Sequence, residues 1–142
     1  MKTILLLLTC VSLHAEVGRL APIITPDEQA RWNVVAMIET EARDYVDGAD
    51  GEISRFQILK SEWRAATSLP YTAASNPVTA QNVAVAIQNK RVLAFRNSYR
   101  RQPSDAEWFI LWHKPAHVLR MTTSDRDYAT RCVNLLRLTP RH

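Results

Sequence analysis

The chain of 142 residues has only two cysteines, Cys10 and Cys132. If a leader that contains Cys10 is removed, Cys132 has no partner and an intrachain disulfide is excluded. Cys132 falls in an apolar helical pattern, which favours a buried structural thiol over a nucleophile.

Histidine is also scarce, and its four positions form no metal-binding motif. His113 and His117 have the i, i+4 spacing of one helix face, but Pro115 lies between them and no HExxH pattern surrounds them. We therefore expect no zinc site, no other metal site and no cofactor.

Long apolar runs are missing too. The run ILLLLTCVSL, which begins at Ile4, is too short for a transmembrane helix but has the length of a signal h-region between Lys2 and an acceptable cleavage site at Ala15. Residues 1–15 are therefore predicted to be a cleaved signal peptide. The mature protein is expected to be exported to the periplasm or cell envelope, without a membrane span. Lipid anchoring through Cys10 ranks second, because threonine before the cysteine fits that motif poorly.

The composition is that of a single globular domain with a mildly basic charge. Hydrophobic residues make up 46% and charged residues 23% of the chain, and its net charge is +4. Loss of Lys2 with the signal would lower this charge by one. Such a balance suits an anionic polymer such as a cell wall. The arginines at 96, 100 and 101 are interpreted as a solvated helix face rather than a nucleic-acid site.

Helix start signals recur along the sequence, whereas strand patterns, internal repeats and low-complexity tracts do not. Thr25-Pro26 with Glu28 predicts a capping box and a helix to about Arg43. Further starts are predicted at Ser61, at Asn76-Pro77 for a long helix to about Arg101, at Ser104 with Glu107, and at Ser124. These signals predict a compact all-α domain of about five to six helices.

Glu39 lies near the end of the first predicted helix, directly before a polar loop that carries Gly48 and Gly51. On the helix it falls near the side of Trp32 and Val35. A carboxylic acid that apolar neighbours partly desolvate can stay protonated near neutral pH, as a general acid for glycosidic cleavage must. From position alone, a surface or helix-end glutamate is the commoner explanation.

The residues that follow Glu39 form an ordered set. Thr40 is next, Gly48-Ala49 lies in the loop, the triplet Phe56-Gln57-Ile58 comes after it, and PSDAEWFILWHKP and DRDYATRCVNLL lie further on. From about Asp27 to Leu136 this order resembles the lysozyme-like domain of soluble lytic transglycosylases. Those enzymes have a catalytic glutamate followed by serine, a Gly-Ala-x-Gly loop and a hydrophobic-Gln-hydrophobic triplet. The resemblance implies a lysozyme-like domain over residues 26–137, after an extended leader over 16–25 and before a basic tail over 138–142.

The resemblance also implies a reaction. Glu39 would protonate the glycosidic oxygen between N-acetylmuramic acid and N-acetylglucosamine, and then act as the base while the substrate's own 6-hydroxyl attacks to give a 1,6-anhydro product. One carboxylate suffices because the substrate supplies the nucleophile. The expected partner is the peptidoglycan glycan strand and not nucleic acid, and the protein is expected to be a monomer. The residues expected to bind the glycan are Thr40, Phe56, Gln57, Ile58, Trp112, His113 and Tyr128.

Several positions depart from the family pattern, so two alternatives stay open. Thr40 replaces the serine, Ser54-Arg55 fill a region where glycine is usual, and His113 stands where the family has an asparagine that helps to hold the sugar N-acetyl group. One alternative is a catalytically degenerate envelope protein that binds peptidoglycan or a partner. The other is a hydrolase of the goose-lysozyme kind, which needs a second carboxylate. Spacing assigns that role to none of the nearby acids, which are Glu41, Asp44, Asp47, Asp50 and Glu52.

Aromatic side chains are the remaining candidates for sugar contacts. Tyr71, Trp112 and Tyr128 offer flat faces, although core packing is the commoner role of a single aromatic residue. The other three tryptophans, Trp32, Trp63 and Trp108, are predicted to lie in the core.

Overall fold

The computed structural model describes residues 22–44 and 46–140. The predicted signal peptide over 1–15, the Cys10 anchor, most of the leader and the last two residues of the tail lie outside the described residues. Within them the chain is all-α, as predicted, and the only extended pairing in this part is an isolated bridge between Ile53 and Ile58. The α-helices are α1 (Pro26–Thr40), α2 (Lys60–Ala66), α3 (Pro77–Tyr99), α4 (Asp105–His113) and α5 (Thr123–Leu138), with 3-10 helices at Tyr71–Ser75 and Pro115–His117.

Three helix starts follow the predicted capping chemistry. Thr25 and Ser104 form complete capping boxes with Glu28 and Glu107, and Asn76 caps α3 through the backbone N–H of Thr79. These caps satisfy N–H groups that have no partner inside the helix, and they fix where α1, α3 and α4 begin.

Two predicted starts were wrong by one or two residues. The first turn of α2 begins at Lys60, after Leu59, and no side chain caps it, so Ser61 lies inside the helix. The N-cap of α5 is Thr122 rather than Ser124, because its partner in the capping box is the buried Asp125. The carboxylate of Asp125 accepts a hydrogen bond from the Thr122 backbone N–H at 2.8 Å.

The first helix ends earlier than predicted, and this end positions Glu39. Glu41 and Ala42 adopt left-handed backbone angles, with φ of 53° and 61°, and their N–H groups donate to the carbonyls of Met37 and Ala36. The chain therefore leaves the helix at Thr40 and not at Arg43, in an αL termination. Glu39 lies in the last turn of α1.

The core centres on the Trp32 indole of α1. Its ring makes edge-to-face contacts with Phe56, Trp108 and Trp112 at centroid distances of 5.4, 5.2 and 4.9 Å, the arrangement that aromatic quadrupoles favour. Trp63 of α2 is fully buried, and the predicted core positions of Trp32, Trp63 and Trp108 are confirmed. Because Phe56 and Trp112 also border a cleft, this cluster couples the core to the candidate site.

Cys132 lies in the same core and is completely buried on α5. Burial raises the pKa of its thiol to about 11. A protonated, inaccessible thiol is a poor nucleophile, in agreement with the structural role predicted for it.

Over the described ranges, no helix has both the length and the apolar content needed to cross a membrane.

The capping box at the start of α4 makes the free energy of unfolding depend on pH. The Arg101 guanidinium donates to both oxygens of Glu107 at 2.5 and 2.7 Å, and the Ser104 N–H donates at 2.8 Å, so that the pKa of Glu107 falls from 4.5 to about 2. Because the folded-state pKa lies below the unfolded value, this stabilisation is present above pH 4.5 and is lost as the pH falls towards 2.

We therefore expect Glu107→Gln to lower the free energy of unfolding at neutral pH, and the difference from the wild type to shrink in acid. Urea denaturation of both proteins at neutral pH and at about pH 2.5 measures it. Glu28→Gln, in the capping box of α1 with Thr25, is the matched control for the loss of a capping carboxylate. A difference for Glu107→Gln that stays constant with pH would contradict the prediction.

Candidate active site

A cleft of about 430 Å³ opens beside the C-terminal ends of α1 and α4 and the loop that precedes α2. This volume is in the range of ligand pockets. Five of the predicted site residues line the cleft: Glu39, Phe56, Gln57, Trp112 and His113. Side chains that are far apart in the sequence therefore meet around one carboxylate.

The carboxylate of Glu39 is held by a phenol from α5. Its side chain is 18% exposed, and the Tyr128 hydroxyl donates a hydrogen bond to Oε1 at 2.7 Å. Burial, followed by the neighbouring charge of Glu39, raises the pKa of Tyr128 well above its usual 10. Tyr128 therefore keeps its proton and acts as a donor to Glu39.

His113 forms the cleft wall next to this pair. It is the last residue of α4, and its ring stacks on the Tyr128 ring with centroids 4.0 Å apart and an interplanar angle of 12°. Its Nδ1 lies 3.7 Å from Oε1 of Glu39, which is too far for a hydrogen bond but close enough for two charges to interact. His113, Tyr128 and Glu39 thus form a contiguous group.

A tight turn between Ile53 and Ile58 presents Gln57 to the cleft. Ser54 and Gln57 have positive φ angles of 79° and 52°, and the Ile53–Ile58 bridge closes the turn. Phe56 and Ile58 point into the core, whereas the Gln57 amide donates to the carbonyls of Val46 and Ser54 at 3.0 Å each. Gln57 therefore lines the cleft and braces the loop at the same time.

Gly48 lies against this brace, which explains its lack of a side chain. A Cβ atom at this position would overlap the Glu52 carboxylate and the Gln57 amide. Because the Gln57 amide is tied to two backbone carbonyls, it has little freedom to move aside. Glycine at position 48 allows the loop to close over Gln57.

Three of the residues predicted to bind the glycan, Thr40, Ile58 and Tyr128, do not line the cleft. Tyr128 is 5% exposed and contacts the site through its hydrogen bond to Glu39. Thr40 is 2% exposed, and its hydroxyl donates to the Ala36 carbonyl at 3.0 Å, with the Arg55 carbonyl 3.3 Å away. Ile58 is fully buried. Both residues hold the end of α1 and the turn together. Tyr71 braces the same region, since its hydroxyl lies 2.6 Å from the Ile58 carbonyl and 3.0 Å from that of Gly51.

Sequence reasoning missed Arg91, which lines the cleft from α3. Its guanidinium donates to the Trp112 and Leu111 carbonyls at 2.8 and 3.1 Å, lies over the Trp112 ring and pairs with Glu62. Burial lowers its pKa from 12.5. Arg91 thereby caps the C-terminal end of α4 next to His113. No local sequence pattern links it to partners that lie 20 to 29 positions away.

A second network that was missed fixes the corner after His113. Asp125 is 1% exposed and accepts hydrogen bonds from Thr122 and from Nδ1 of His117 at 2.9 Å, while the Lys114 ammonium lies 3.5 Å away. The Thr122 backbone N–H is the largest of the influences that hold the pKa of Asp125 far below its usual value. The sequence contains the capping pattern of Thr122 with Asp125, but the prediction placed the start of this helix at Ser124 instead.

Three further carboxylates, Asp50, Glu52 and Glu62, line the cleft, and Glu62 is paired with Arg91. Glu52 accepts a hydrogen bond from the Asp50 backbone N–H at 3.0 Å. Of the other loop acids, Asp44 pairs with Arg55 at 2.7 Å, and Glu41 and Asp47 are exposed. Among the described residues, no group of three or more His, Cys, Asp or Glu side chains is placed to hold a metal ion.

Comparison with protein-family models, with curated proteins and with solved structures finds no match to this chain.

Proposed function

We propose that the protein is a peptidoglycan lytic transglycosylase with Glu39 as its general acid and base. One observation carries the proposal: a partly shielded carboxylate stands in the wall of a ligand-sized cleft, with Oε1 held by the Tyr128 hydroxyl at 2.7 Å. With Oε1 engaged, Oε2 is the oxygen available to a glycosidic oxygen of the substrate. A fixed carboxylate with one oxygen available is the geometry that general acid catalysis needs.

In the proposed reaction Glu39 donates one proton in the first step and takes up another in the second. Protonated Glu39 donates its proton to the glycosidic oxygen, and the bond from that oxygen to the anomeric carbon of N-acetylmuramic acid breaks. The carboxylate then removes the proton from the 6-hydroxyl of the same sugar as its oxygen bonds to the anomeric carbon. Glu39 ends protonated again, and the new glycan end is a 1,6-anhydro sugar.

The surroundings of Glu39 support a carbohydrate substrate. Trp112, which is 7% exposed, and the exposed His113 border the cleft, and Gln57 provides an amide fixed by the loop. Most of the side chains that line the cleft are polar or charged, so the cleft offers hydrogen-bonding groups to the hydroxyls of a sugar. The predicted export signal and the mildly basic charge suit an insoluble anionic polymer outside the membrane.

The products released from peptidoglycan test the proposal. Purified protein would be incubated with purified peptidoglycan, and the soluble fragments analysed by mass spectrometry. Anhydromuropeptides are the expected products. No release by a folded protein, together with binding to the same peptidoglycan in a pull-down, would favour the degenerate envelope protein.

A hydrolase is the second candidate, because Asp50 and Glu52 line the same cleft as Glu39. In that reaction a second carboxylate would activate a water molecule, and the products would carry reducing ends with one water more than the anhydro sugars. Loss of these reducing products in Asp50→Asn or Glu52→Gln, with Asp47→Asn as the exposed control, would identify the second acid.

Removing the phenol that holds Glu39 is expected to weaken catalysis. Tyr128→Phe keeps the ring that stacks on His113 but deletes the hydrogen bond to Oε1. We expect kcat/KM on peptidoglycan to fall about tenfold or more, because the Glu39 carboxyl group loses the contact that fixes its orientation. Steady-state release of muropeptides measures this. Circular dichroism would verify the fold, and an unchanged rate would show that Glu39 does not depend on the phenol.

A further inference from the structure

One stretch of the chain carries positive charge with no acid to balance it. Residues 63–104 contain neither aspartate nor glutamate, although the whole chain has 14 of these acids. The same stretch has lysine or arginine at positions 64, 90, 91, 96, 100 and 101, and it includes all of α3. The arginines of α5, by contrast, share their helix with Asp125 and Asp127. Unbalanced positive charge is therefore concentrated on and around α3.

The C-terminal end of α3 presents two of these arginines to solvent. Arg96 and Arg100 are exposed, and neither pairs with a carboxylate in the part of the chain that the structure describes. Arg101 differs from them, because Glu107 balances its charge. A hollow of about 420 Å³ lies among these side chains, and it is lined by Leu93, Arg96, Asn97, Arg100, Arg101 and Gln102.

Helix geometry places an apolar side chain among these cations. Leu93, Arg96, Asn97 and Arg100 have the i, i+3, i+4, i+7 spacing of one helix face. Leu93 is 55% exposed, so a large aliphatic group contacts water beside two unpaired guanidinium groups. This combination matches the boundary of a phospholipid bilayer, where phosphate groups lie next to the acyl chains.

We propose that the α3 face formed by Leu93, Arg96, Asn97 and Arg100 docks onto a bilayer that contains anionic phospholipid. The two arginines bind lipid phosphates through their forked guanidinium groups, and Leu93 enters the boundary with the acyl chains. A phosphate polymer dissolved in water would satisfy the arginines but would leave Leu93 exposed. Lipid is therefore the occupant that fits both kinds of side chain.

Docking on this face leaves the cleft accessible. Arg91 lines the cleft from α3. Arg96 and Arg100 follow it by five and nine positions, which is about 140° and 180° around the helix. The docking face is thus on the other side of α3 from the cleft. The inference does not depend on the proposed lytic activity, because it uses the α3 face alone.

Co-sedimentation with lipid vesicles tests the docking. The protein would begin at Glu16, since this form keeps every residue that the structure describes and lacks the apolar run from Ile4, which would bind lipid by itself. The vesicles consist of phosphatidylcholine alone or of equal parts of phosphatidylglycerol and phosphatidylcholine. We expect binding to the mixed vesicles, and Arg96→Gln combined with Arg100→Gln is expected to weaken it about fivefold for each arginine removed.

Arg120→Gln combined with Arg131→Gln is the matched control. Both arginines are exposed, and the double change removes the same charge from outside α3. Its binding is expected to stay within about twofold of the wild type, because charges more than about 8 Å from the bilayer are largely screened at physiological salt. Circular dichroism would verify the fold of each variant. An equal loss in the two double variants would overturn the proposal, since net charge alone would then explain the binding.

Leu93→Gln separates a lipid surface from a soluble phosphate polymer. This variant is expected to bind the mixed vesicles about fivefold more weakly and to bind inorganic polyphosphate as the wild type does. Met37→Gln, which changes a side chain of similar exposure on α1, is expected to bind both as the wild type does. Vesicle binding that is unchanged in Leu93→Gln, or equal for neutral and mixed vesicles, would overturn the lipid assignment. None of these assays contains peptidoglycan, so their outcome is independent of the lytic activity.

Discussion

Glu39→Gln is expected to lower kcat/KM on peptidoglycan by about 10³-fold, which is within the usual contribution of general acid and base catalysis. The glutamine side chain fits the same space and still accepts the Tyr128 hydrogen bond through its amide oxygen. It has no proton that it can donate to a glycosidic oxygen and cannot accept one from the 6-hydroxyl. Both steps of the proposed reaction therefore fail. Muropeptide release by the wild type and the variant at equal concentration measures the effect.

Glu41→Gln is the matched control for this prediction. Glu41 is an exposed acid two residues further along, at the cap of α1, and is not part of the cleft lining. Its variant is expected to retain activity within about twofold, since a surface substitution perturbs the fold by about 0.5 kcal/mol or less. Equal activity of Glu39→Gln and the wild type would remove Glu39 from the mechanism.

Trp32→Ala is expected to cause a large loss of stability, lowering the free energy of unfolding by about 3–5 kcal/mol. The indole is 2% exposed and is enclosed by the rings of Phe56, Trp108 and Trp112. Its removal leaves a cavity and deletes three edge-to-face contacts. Because native domains are stable by about 5–15 kcal/mol in total, the variant would be close to unfolding at physiological temperature. Urea denaturation at constant temperature gives the difference.

Met37→Ala provides the comparison on the same helix. Met37 is 48% exposed on α1, and alanine is also a good helix former, so the change is expected to stay within about 0.5 kcal/mol. If Trp32→Ala cost less than about 1 kcal/mol, the ring cluster would not be the centre of the core. A residual activity measured at low temperature would further show whether Phe56 and Trp112 still support the cleft wall.

Sequence patterns predicted the helices well where the capping chemistry is local. Thr25, Asn76 and Ser104 act within a few residues of the helices they begin, so their roles are visible in the sequence. Helix ends were harder to place. The early end of α1 depends on left-handed backbone angles at Glu41 and Ala42. Such angles are usually predicted from a glycine or an asparagine, and neither residue occupies these positions. The start of α5 follows the local capping box of Thr122 with Asp125, but Ser124 offers a competing start two residues later.

The candidate site was predictable only in part, for a related reason. The order of Glu39, Gln57 and His113 along the chain placed these residues in one site, and the cleft brings them together. The same order gave Thr40 and Ile58 a binding role, although their side chains face inward. The burial of these two side chains depends on the turn between Ile53 and Ile58, which has positive φ angles at Ser54 and Gln57. No simple periodicity in the sequence predicts such a turn. Arg91 joins the site through tertiary contacts alone.

The hydrogen bond between Glu39 and Tyr128 joins residues 89 positions apart, and this separation has a consequence for biosynthesis. Ribosomes make α1 early and α5 late, so a growing chain carries Glu39 well before the phenol that orients it exists. The stacking surface for His113 and the Asp125 side chain that secures its corner arrive with the same late helix. The group around Glu39 is thus incomplete until residue 128 has been made and α5 has docked. Formation of this group then reports on the folding of the described helices as a whole.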